Sequence, residues 1–179
     1  MAFDVPLAQR ESLVRRVRDH SDVFPGARWT DVAGQHITLR FVGWVDQGDV
    51  PAISLACAQA ARAVEPCDLR VSGLGAFPSE RRVRVLWAGI EDPSGTTSRL
   101  AAELDARIGA AGFPGEERSF TPHLTLARMK VPVKVRQLPE IDTSDLDPFR
   151  LAEIVLYRSH LSPKGARYEA LERFPLGSS

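Results

Sequence analysis

Two stretches of this chain share one pattern, HITLRFVG at residues 36–43 and HLTLARMK at residues 123–130. Each stretch begins with a histidine, and a threonine follows two positions later among aliphatic residues. The chain contains 4 histidines, so half of them open this pattern. Side chains of a β-strand alternate between its two faces. Each motif therefore predicts a strand with its histidine and threonine on one face and its aliphatic residues packed against a core on the other.

Hydrophobic periodicity on either side of the motifs predicts both helices and strands. In chain order, the predicted elements are a strand at 2–7, a helix at 9–20, the first motif strand at 36–43, a helix at 51–64, a hairpin of strands at 69–76 and 83–88, a helix that carries Leu100, Leu104 and Ile108, the second motif strand at 123–130, a loop at 131–148, and a final hairpin of strands at 151–158 and 168–174.

The spacing of the two motifs indicates an internal duplication of structure. The two histidines are 87 positions apart, close to half of the 179 residues. The second half also repeats, loosely, the order of strands and helices of the first. We therefore predict one α+β domain over residues 1–179, with two pseudo-symmetric lobes that each contain a small antiparallel sheet and outer helices. The inner faces of the sheets would form a cleft that holds both motifs.

Composition and charge limit the classes of function. Hydrophobic residues make up 44% and charged residues 26%, which is typical of a soluble globular protein. The 23 cationic and 23 acidic side chains balance, so any basic site must be local. The amino-terminal sequence has no signal-peptide or membrane-spanning pattern, and Cys57 and Cys67 form neither a zinc motif nor a redox dithiol. We expect a cytoplasmic monomer with no membrane partner, no cofactor and no metal.

The residues of the motifs suit phosphodiester chemistry. One imidazole can accept a proton while a second donates one, so His36 and His123 can act as general base and general acid. The hydroxyl groups of Thr38 and Thr125 can donate hydrogen bonds to phosphoryl oxygens. A phosphodiester that is attacked on one side and departs on the other needs this opposed arrangement. Such a reaction requires no metal ion.

Two arginines near the motifs are candidates for substrate binding. Arg40 lies four positions after His36, so on a continuous strand it shares the face of the first motif and can contact phosphate or a nucleic-acid backbone. An ordinary solvated arginine is the alternative. Arg128 lies at an odd offset from His123, which places it on the opposite face unless a bulge intervenes.

The final predicted hairpin and the turn near residue 80 supply weaker candidates. Tyr157 and Arg158 can stack on or clamp a base, although a tyrosine in a strand more often belongs to the core. The sequence ERRVR at 80–84 adds local positive potential, with a solvated hairpin as the alternative.

Longer stretches around the motifs carry a family resemblance. The sequences LGAFPSERRVRVLW, AAGFPGEERSFTPHLTLAR and LYRSHLSPKGARYEALERFPL resemble the two-histidine phosphoesterases, specifically the RNA 2′,3′-cyclic phosphodiesterases once called 2′-5′ RNA ligases. The resemblance spans nearly the whole chain. It implies a bilobal fold and hydrolysis of a terminal RNA 2′,3′-cyclic phosphate to a 2′-phosphate. In some members it also implies weak, reversible joining of RNA ends through a 2′-5′ linkage.

The same resemblance implies roles for the motif residues. His36 and His123 would be the catalytic pair, with Thr38 and Thr125 on the phosphate. The second histidine would activate water while the first protonates the departing 3′ oxygen, although the residues alone leave the two copies interchangeable. This chain has Arg40 where many members carry lysine, and its amino-terminal strand is shorter than is typical.

Two other functions stay open at this point. One is a phosphodiesterase of small cyclic nucleotides or 2′-5′ oligonucleotides, which the zero net charge allows because a long RNA footprint usually needs a basic surface. The other is a module that binds RNA ends without cleaving them. The intact histidines and threonines of both motifs argue against this last alternative.

Overall fold

Two antiparallel sheets and three α-helices form the part of the chain that the structure, a computed structural model, describes, residues 1–162 and 165–177. The helices are α1 (Leu7–Arg18), α2 (Val50–Arg62) and α3 (Thr96–Ala110). The strands are β1 (Ala2–Phe3), β2 (Ala27–Trp29), β3 (Ile37–Thr38), β4 (Cys67–Phe77), β5 (Val83–Glu91), β6 (His123–Val133), β7 (Phe149–Leu151), β8 (Glu153–Ser162) and β9 (Gly165–Pro175). The predicted α+β class with antiparallel sheets is confirmed.

Each sheet contains one motif strand, and both sheets combine distant parts of the chain. The four-stranded sheet has the order β3-β1-β8-β9, so strands from the two ends of the sequence lie side by side. The five-stranded sheet has the order β2-β6-β5-β4-β7, with the second motif strand next to its centre. The two motif strands, β3 and β6, contact each other where the sheets meet. The fold thus brings both motifs to the junction of the sheets.

The first motif strand is shorter than predicted. Regular pairing covers only Ile37–Thr38, whereas the pattern predicted a strand over 36–43. The next two amides, of Leu39 and Arg40, both donate to the carbonyl oxygen of Met1, at 2.9 and 3.2 Å. Because both amides bond to the same acceptor, the regular pairing of β3 with β1 ends at this point. The prediction of a strand at 2–7 also overshoots, since β1 ends at Phe3 and α1 begins at Leu7.

The helices lie within two or three residues of their predicted positions. In α3, the predicted stripe of Leu100, Leu104 and Ile108 is fully buried. Gly95 precedes this helix with a φ of 68°, a left-handed conformation that glycine adopts without strain. Helix α2 packs against α3 and against β8 and β9. None of the helices within residues 1–162 and 165–177 has the length and apolarity to cross a membrane.

Both predicted hairpins are present. Strand β4 pairs with β5, and β8 pairs with β9 through a ladder that reaches from Glu153 to Ser162. Pro163 and Lys164, within the predicted hairpin connection, lie outside the described residues. The predicted loop at 131–148 begins three residues later, because β6 continues to Val133. Strand β7, which the sequence analysis joined to β8, pairs separately with β4.

A glycine in β4 makes room for a tryptophan of β5. Gly75 pairs with Trp87, and the indole lies across the space that a side chain at position 75 would fill. A Cβ atom added there would collide with the ring. Gly73, on the same strand, has no atom within 4 Å of an added Cβ. The small residue at position 75 therefore sets the position of the Trp87 indole.

We expect Gly75→Ala to destabilise the protein by about 1–3 kcal/mol, because overpacking displaces the indole. The free energy of unfolding in urea and the tryptophan emission spectrum measure the two effects. Gly73→Ala is the matched control and should leave the emission unchanged. Equal effects of the two substitutions would contradict this account of the packing.

Candidate active site

The imidazole of His36 lies between a backbone carbonyl and two tyrosines of the final hairpin. Its Nδ1 is 3.1 Å from the carbonyl oxygen of Gly34. The ring stacks on Tyr157 of β8, with centroids 5.5 Å apart and planes 23° apart. Tyr168 of β9 meets it edge-on at 4.4 Å. The last hairpin of the chain thus forms an aromatic wall around the first motif.

The imidazole of His123 has a similar environment in the other sheet. Its Nδ1 is 2.7 Å from the carbonyl oxygen of Thr121. Phe77 meets the ring edge-on at a centroid distance of 5.0 Å, and Trp87 lies 5.8 Å away. Register places Trp87 opposite Thr125, the threonine of the same motif. The second motif is therefore walled by aromatic residues of β4 and β5.

The same local hydrogen bond fixes the tautomer of both histidines. In each motif, Nδ1 contacts the carbonyl oxygen of the residue two positions earlier. A carbonyl oxygen can only accept, so Nδ1 must carry the proton. The neutral ring then has its lone pair on Nε2, and the charged ring has an acidic proton there. Both imidazoles are therefore prepared for proton transfer at Nε2.

Burial lowers the pKa of both imidazoles. For His36, desolvation is the largest cause, and the nearby amino terminus and, least of all, the Arg10 guanidinium lower the pKa further. For His123, desolvation again lowers the pKa most, and Arg128 lowers it further. The backbone hydrogen bonds act in the opposite direction on both. The lowered pKa values favour the neutral form of both rings at pH 7, and an anion bound beside either ring would raise its pKa again.

The threonines accompany the histidines on the strands, as alternation requires. Thr38 is exposed on β3, and its neighbour Ile37 is buried on the other face. Thr125 is half-buried on β6, between the fully buried Leu124 and Leu126. Each hydroxyl therefore lies on the polar face of its motif strand, where it can donate to a bound oxyanion.

Comparisons with known proteins agree with this arrangement. Residues 5–162 match a model of the 2′-5′ RNA ligase superfamily. The chain belongs to this superfamily. A relative named RNA 2′,3′-cyclic phosphodiesterase, from Methanothermobacter thermautotrophicus, is 36% identical over 79% of this chain and 78% of its own length.

Solved structures of the superfamily fold resemble the whole chain. The crystal structure of TT0787 from Thermus thermophilus is 30% identical with a TM-score of 0.80, covering 98% of this chain and 96% of that one. The structure of E. coli LigT in complex with 3′-AMP is 25% identical with a TM-score of 0.79, covering 99% and 96% of the two chains. The two-sheet fold described above is therefore shared with both of these proteins.

A β-bulge determines the face on which Arg128 lies. Two adjacent residues of β5 pair with Thr125 and Ala127 of β6, which are two positions apart. The extra residue, Leu126, is buried together with Ala127, so the alternation restarts one position later. Arg128 is exposed and falls on the face that carries His123. The bulge that this placement requires is present.

A second arginine stands beside Arg128 and was not among the sequence candidates. The register of β2 against β6 pairs Arg28 with Arg128. Directly paired residues of antiparallel strands lie on the same face. No sequence signal indicated Arg28, because β2 has three residues and its register is set only by the tertiary fold. The sequence analysis also missed the aromatic residues Phe77, Trp87 and Tyr168, because their contacts with the histidines depend on strand registers that the tertiary fold sets.

Arg40 is held by ion pairs, and its predicted contact with substrate stays a prediction. Its guanidinium is buried, with Nε 2.9 Å from Asp105 and Nη1 2.9 Å from Glu116. It also donates to the carbonyl oxygens of Phe41 and Pro114. The sequence analysis placed Arg40 on the face of His36 by assuming a continuous strand, but the strand ends at residue 38. Arg40 instead ties the loop after β3 to α3 and the loop that follows α3.

Of the two candidates on β8, only the tyrosine reaches the histidine. Tyr157 stacks on His36, and its hydroxyl donates to both carboxylate oxygens of Asp4, each at 3.0 Å. Burial and the Asp4 charge raise the pKa of Tyr157 to about 12. Arg158 is the next residue, is exposed, and pairs with Glu169 of β9. Alternation therefore directs it to the face opposite Tyr157, and the predicted contact of Arg158 with substrate stays a prediction.

Within the ranges 1–162 and 165–177, no group of three or more His, Cys, Asp and Glu side chains is placed to hold a metal ion. The two cysteines, Cys57 and Cys67, are buried and free.

We expect the Cε1 protons of His36 and His123 to titrate in NMR spectra below the ordinary histidine pKa of 6.5, because burial disfavours the charged rings. As the pH decreases, these histidines gain protons in the unfolded chain before they do so in the folded protein. The free energy of unfolding is therefore highest above pH 6.5 and falls as the pH decreases through the folded pKa values. His36→Gln and His123→Gln assign the two resonances and weaken this loss. A titration above 6.5 for either ring would contradict the account.

We expect Arg40→Gln to lower the free energy of unfolding in urea by about 1–3 kcal/mol, because two carboxylates lose their shared cation. Arg150→Gln is the matched control, since the Arg150–Asp68 pair is exposed on both sides. Its loss should be within about 1 kcal/mol. The ion-pair role of Arg40 fails if the two losses are equal.

Proposed function

We propose that this protein hydrolyses the terminal 2′,3′-cyclic phosphate of RNA to a 2′-phosphate, with His36 and His123 as the proton-transfer pair. One observation carries the proposal. The two imidazoles have the same backbone hydrogen bond at Nδ1, each has a threonine on its own strand face, and their strands meet at the junction of the sheets. The name of the relative from M. thermautotrophicus supports the same activity.

The chemistry follows from the available nitrogen atoms. In the direction of hydrolysis, Nε2 of neutral His123 accepts a proton from water, and the water oxygen forms a bond to phosphorus. The bond between phosphorus and the 3′ oxygen breaks. The proton on Nε2 of charged His36 passes to that oxygen, which leaves a 3′-hydroxyl and a 2′-phosphate. The two imidazoles supply both proton transfers, so no metal ion is needed for them.

Binding of the anionic substrate prepares the acid. Free His36 is mostly neutral at pH 7 because burial lowers its pKa. A phosphate anion beside the ring raises that pKa and favours the charged form that donates the proton. The hydroxyls of Thr38 and Thr125 donate to the nonbridging oxygens, and the buried Nε1–H of Trp87, which has no partner among the described residues, is a further donor.

The aromatic walls suit the rest of the terminal nucleotide. The rings of Tyr157 and Tyr168 offer a surface on which a base can stack, as single-stranded RNA is commonly held. The same site supports joining of RNA ends. If the 5′-hydroxyl of a second RNA takes the place of water, attack on the cyclic phosphate forms a 2′-5′ linkage by the same proton transfers.

We expect His36→Ala and His123→Ala each to lower kcat on a 2′,3′-cyclic nucleotide by about 10²–10⁴-fold, the usual worth of one positioned proton-transfer group. The double variant should lose little more, because the two residues act as a unit. His20→Ala is the control, since that residue lies outside both motifs. Circular dichroism verifies that the variants are folded.

Product analysis separates this proposal from its alternatives. Phosphorus NMR of the reaction mixture should show a 2′-phosphate product alone. A 3′-phosphate product would contradict the assignment of the leaving oxygen. Binding of RNA ends without any turnover would instead favour a non-catalytic module.

A further inference from the structure

Positive charge is concentrated in two short segments of a chain whose total charge is zero. Residues 80–84 and 128–136 contain seven cationic side chains and one acidic side chain, Glu80. The whole chain holds 23 of each sign. We call these seven residues the basic ridge: Arg81, Arg82, Arg84, Arg128, Lys130, Lys134 and Arg136. All seven are exposed.

The fold brings the two segments together. Val83 at the start of β5 pairs with Val133 at the end of β6, and the amide of Val135 donates to the carbonyl oxygen of Glu80 at 3.0 Å. Arg81, Lys134 and Arg136 then line a cleft of about 630 Å³, in which the remaining lining residue is Val135. No acidic residue among those described lines this cleft.

The charges of the ridge lack the compensation that other cations of this protein have. Within residues 1–162 and 165–177, the arginines that form ion pairs with carboxylates are Arg16, Arg40, Arg107, Arg150 and Arg173, and none of them belongs to the ridge. Side chains of like charge that are held close together repel each other, which disfavours the folded state. The positive potential is therefore available to an anionic ligand.

The ridge is continuous with the candidate active site. Arg128 lies on the face of His123 and lowers its pKa by direct electrostatic interaction. Lys130, two residues further along the same strand, is also exposed. Strand β6 has 11 residues from His123 to Val133, so it extends roughly 30–35 Å at about 3.3 Å per residue. That length is many times the size of one phosphate group.

We propose that the basic ridge binds the sugar–phosphate backbone of the RNA that lies 5′ to the cyclic phosphate, so that the substrate is an RNA of several nucleotides rather than a cyclic mononucleotide. This inference rests on the proposed function. Arginine and lysine side chains bind phosphates without sequence preference, and binding releases counterions. The ridge accordingly raises the affinity for longer RNA, and the two histidines select the terminal group.

The test compares two substrates on two variants of the full chain. The ridge variant is Arg81→Gln, Lys134→Gln, Arg136→Gln. The control variant, Arg15→Gln, Arg62→Gln, Arg70→Gln, removes the same charge from exposed positions that do not line the cleft. One substrate is a mixed-sequence RNA 12-mer with a 2′,3′-cyclic end, and the other is a 2′,3′-cyclic mononucleotide. Binding of the 12-mer with a 3′-phosphate end is measured separately by fluorescence anisotropy between 50 and 300 mM salt.

We expect the ridge variant to lower the ratio of kcat/KM for the 12-mer to kcat/KM for the mononucleotide by roughly 10–100-fold. Three lost phosphate contacts should also reduce the slope of log affinity against log salt by about 2, at roughly 0.7 per contact for a single strand. The control variant should change neither quantity by more than about twofold. An unchanged ratio, or an equal loss in both triple variants, would overturn the role of the ridge.

The outcomes for the two proposals are distinguishable. If the unmodified protein hydrolyses neither substrate, the proposed function fails, while anisotropy still shows whether the ridge binds RNA. If it hydrolyses the mononucleotide and the ridge variant binds the 12-mer with unchanged affinity and salt dependence, the proposed function stands and the ridge proposal fails.

Discussion

The chemistry of the candidate site depends on one local interaction, the hydrogen bond from the histidine Nδ1–H to the carbonyl oxygen two residues before it. The bond occurs at both His36 and His123. It holds each ring in one orientation and one tautomer, so that Nε2 alone is left to exchange protons. Two other features act on these rings: the aromatic residues pack against them, and burial lowers their pKa values.

The division of the two motifs between two sheets determines the directions from which their histidines can approach a ligand. Two motifs on neighbouring strands of one sheet would direct their histidines from the same surface, side by side. Here β3 and β6 belong to different sheets and contact each other at the junction. In the proposed reaction, two groups with the same local geometry would act on one phosphorus atom from separate surfaces, as in-line displacement at phosphorus needs.

Local pattern predicted the parts of the structure that local physics determines. The stripe of Leu100, Leu104 and Ile108 defined α3, and the alternation within each motif defined its buried face. Contacts between segments that are distant in the sequence could not be predicted from local hydrophobic patterns. The ladder of β3 stops because two amides donate to Met1, and Arg40 is consequently not on the predicted face. Tyr168 reaches His36 only through the register of β8 and β9, which no stretch of sequence around either residue encodes.

The order of the first sheet has a consequence for synthesis on the ribosome. The aromatic wall of His36 comes from β8 and β9, which follow it by more than a hundred residues. Contacts of such sequence separation form slowly and late in folding. A nascent chain that already carries both motifs therefore lacks one side of the site until its final hairpin has emerged.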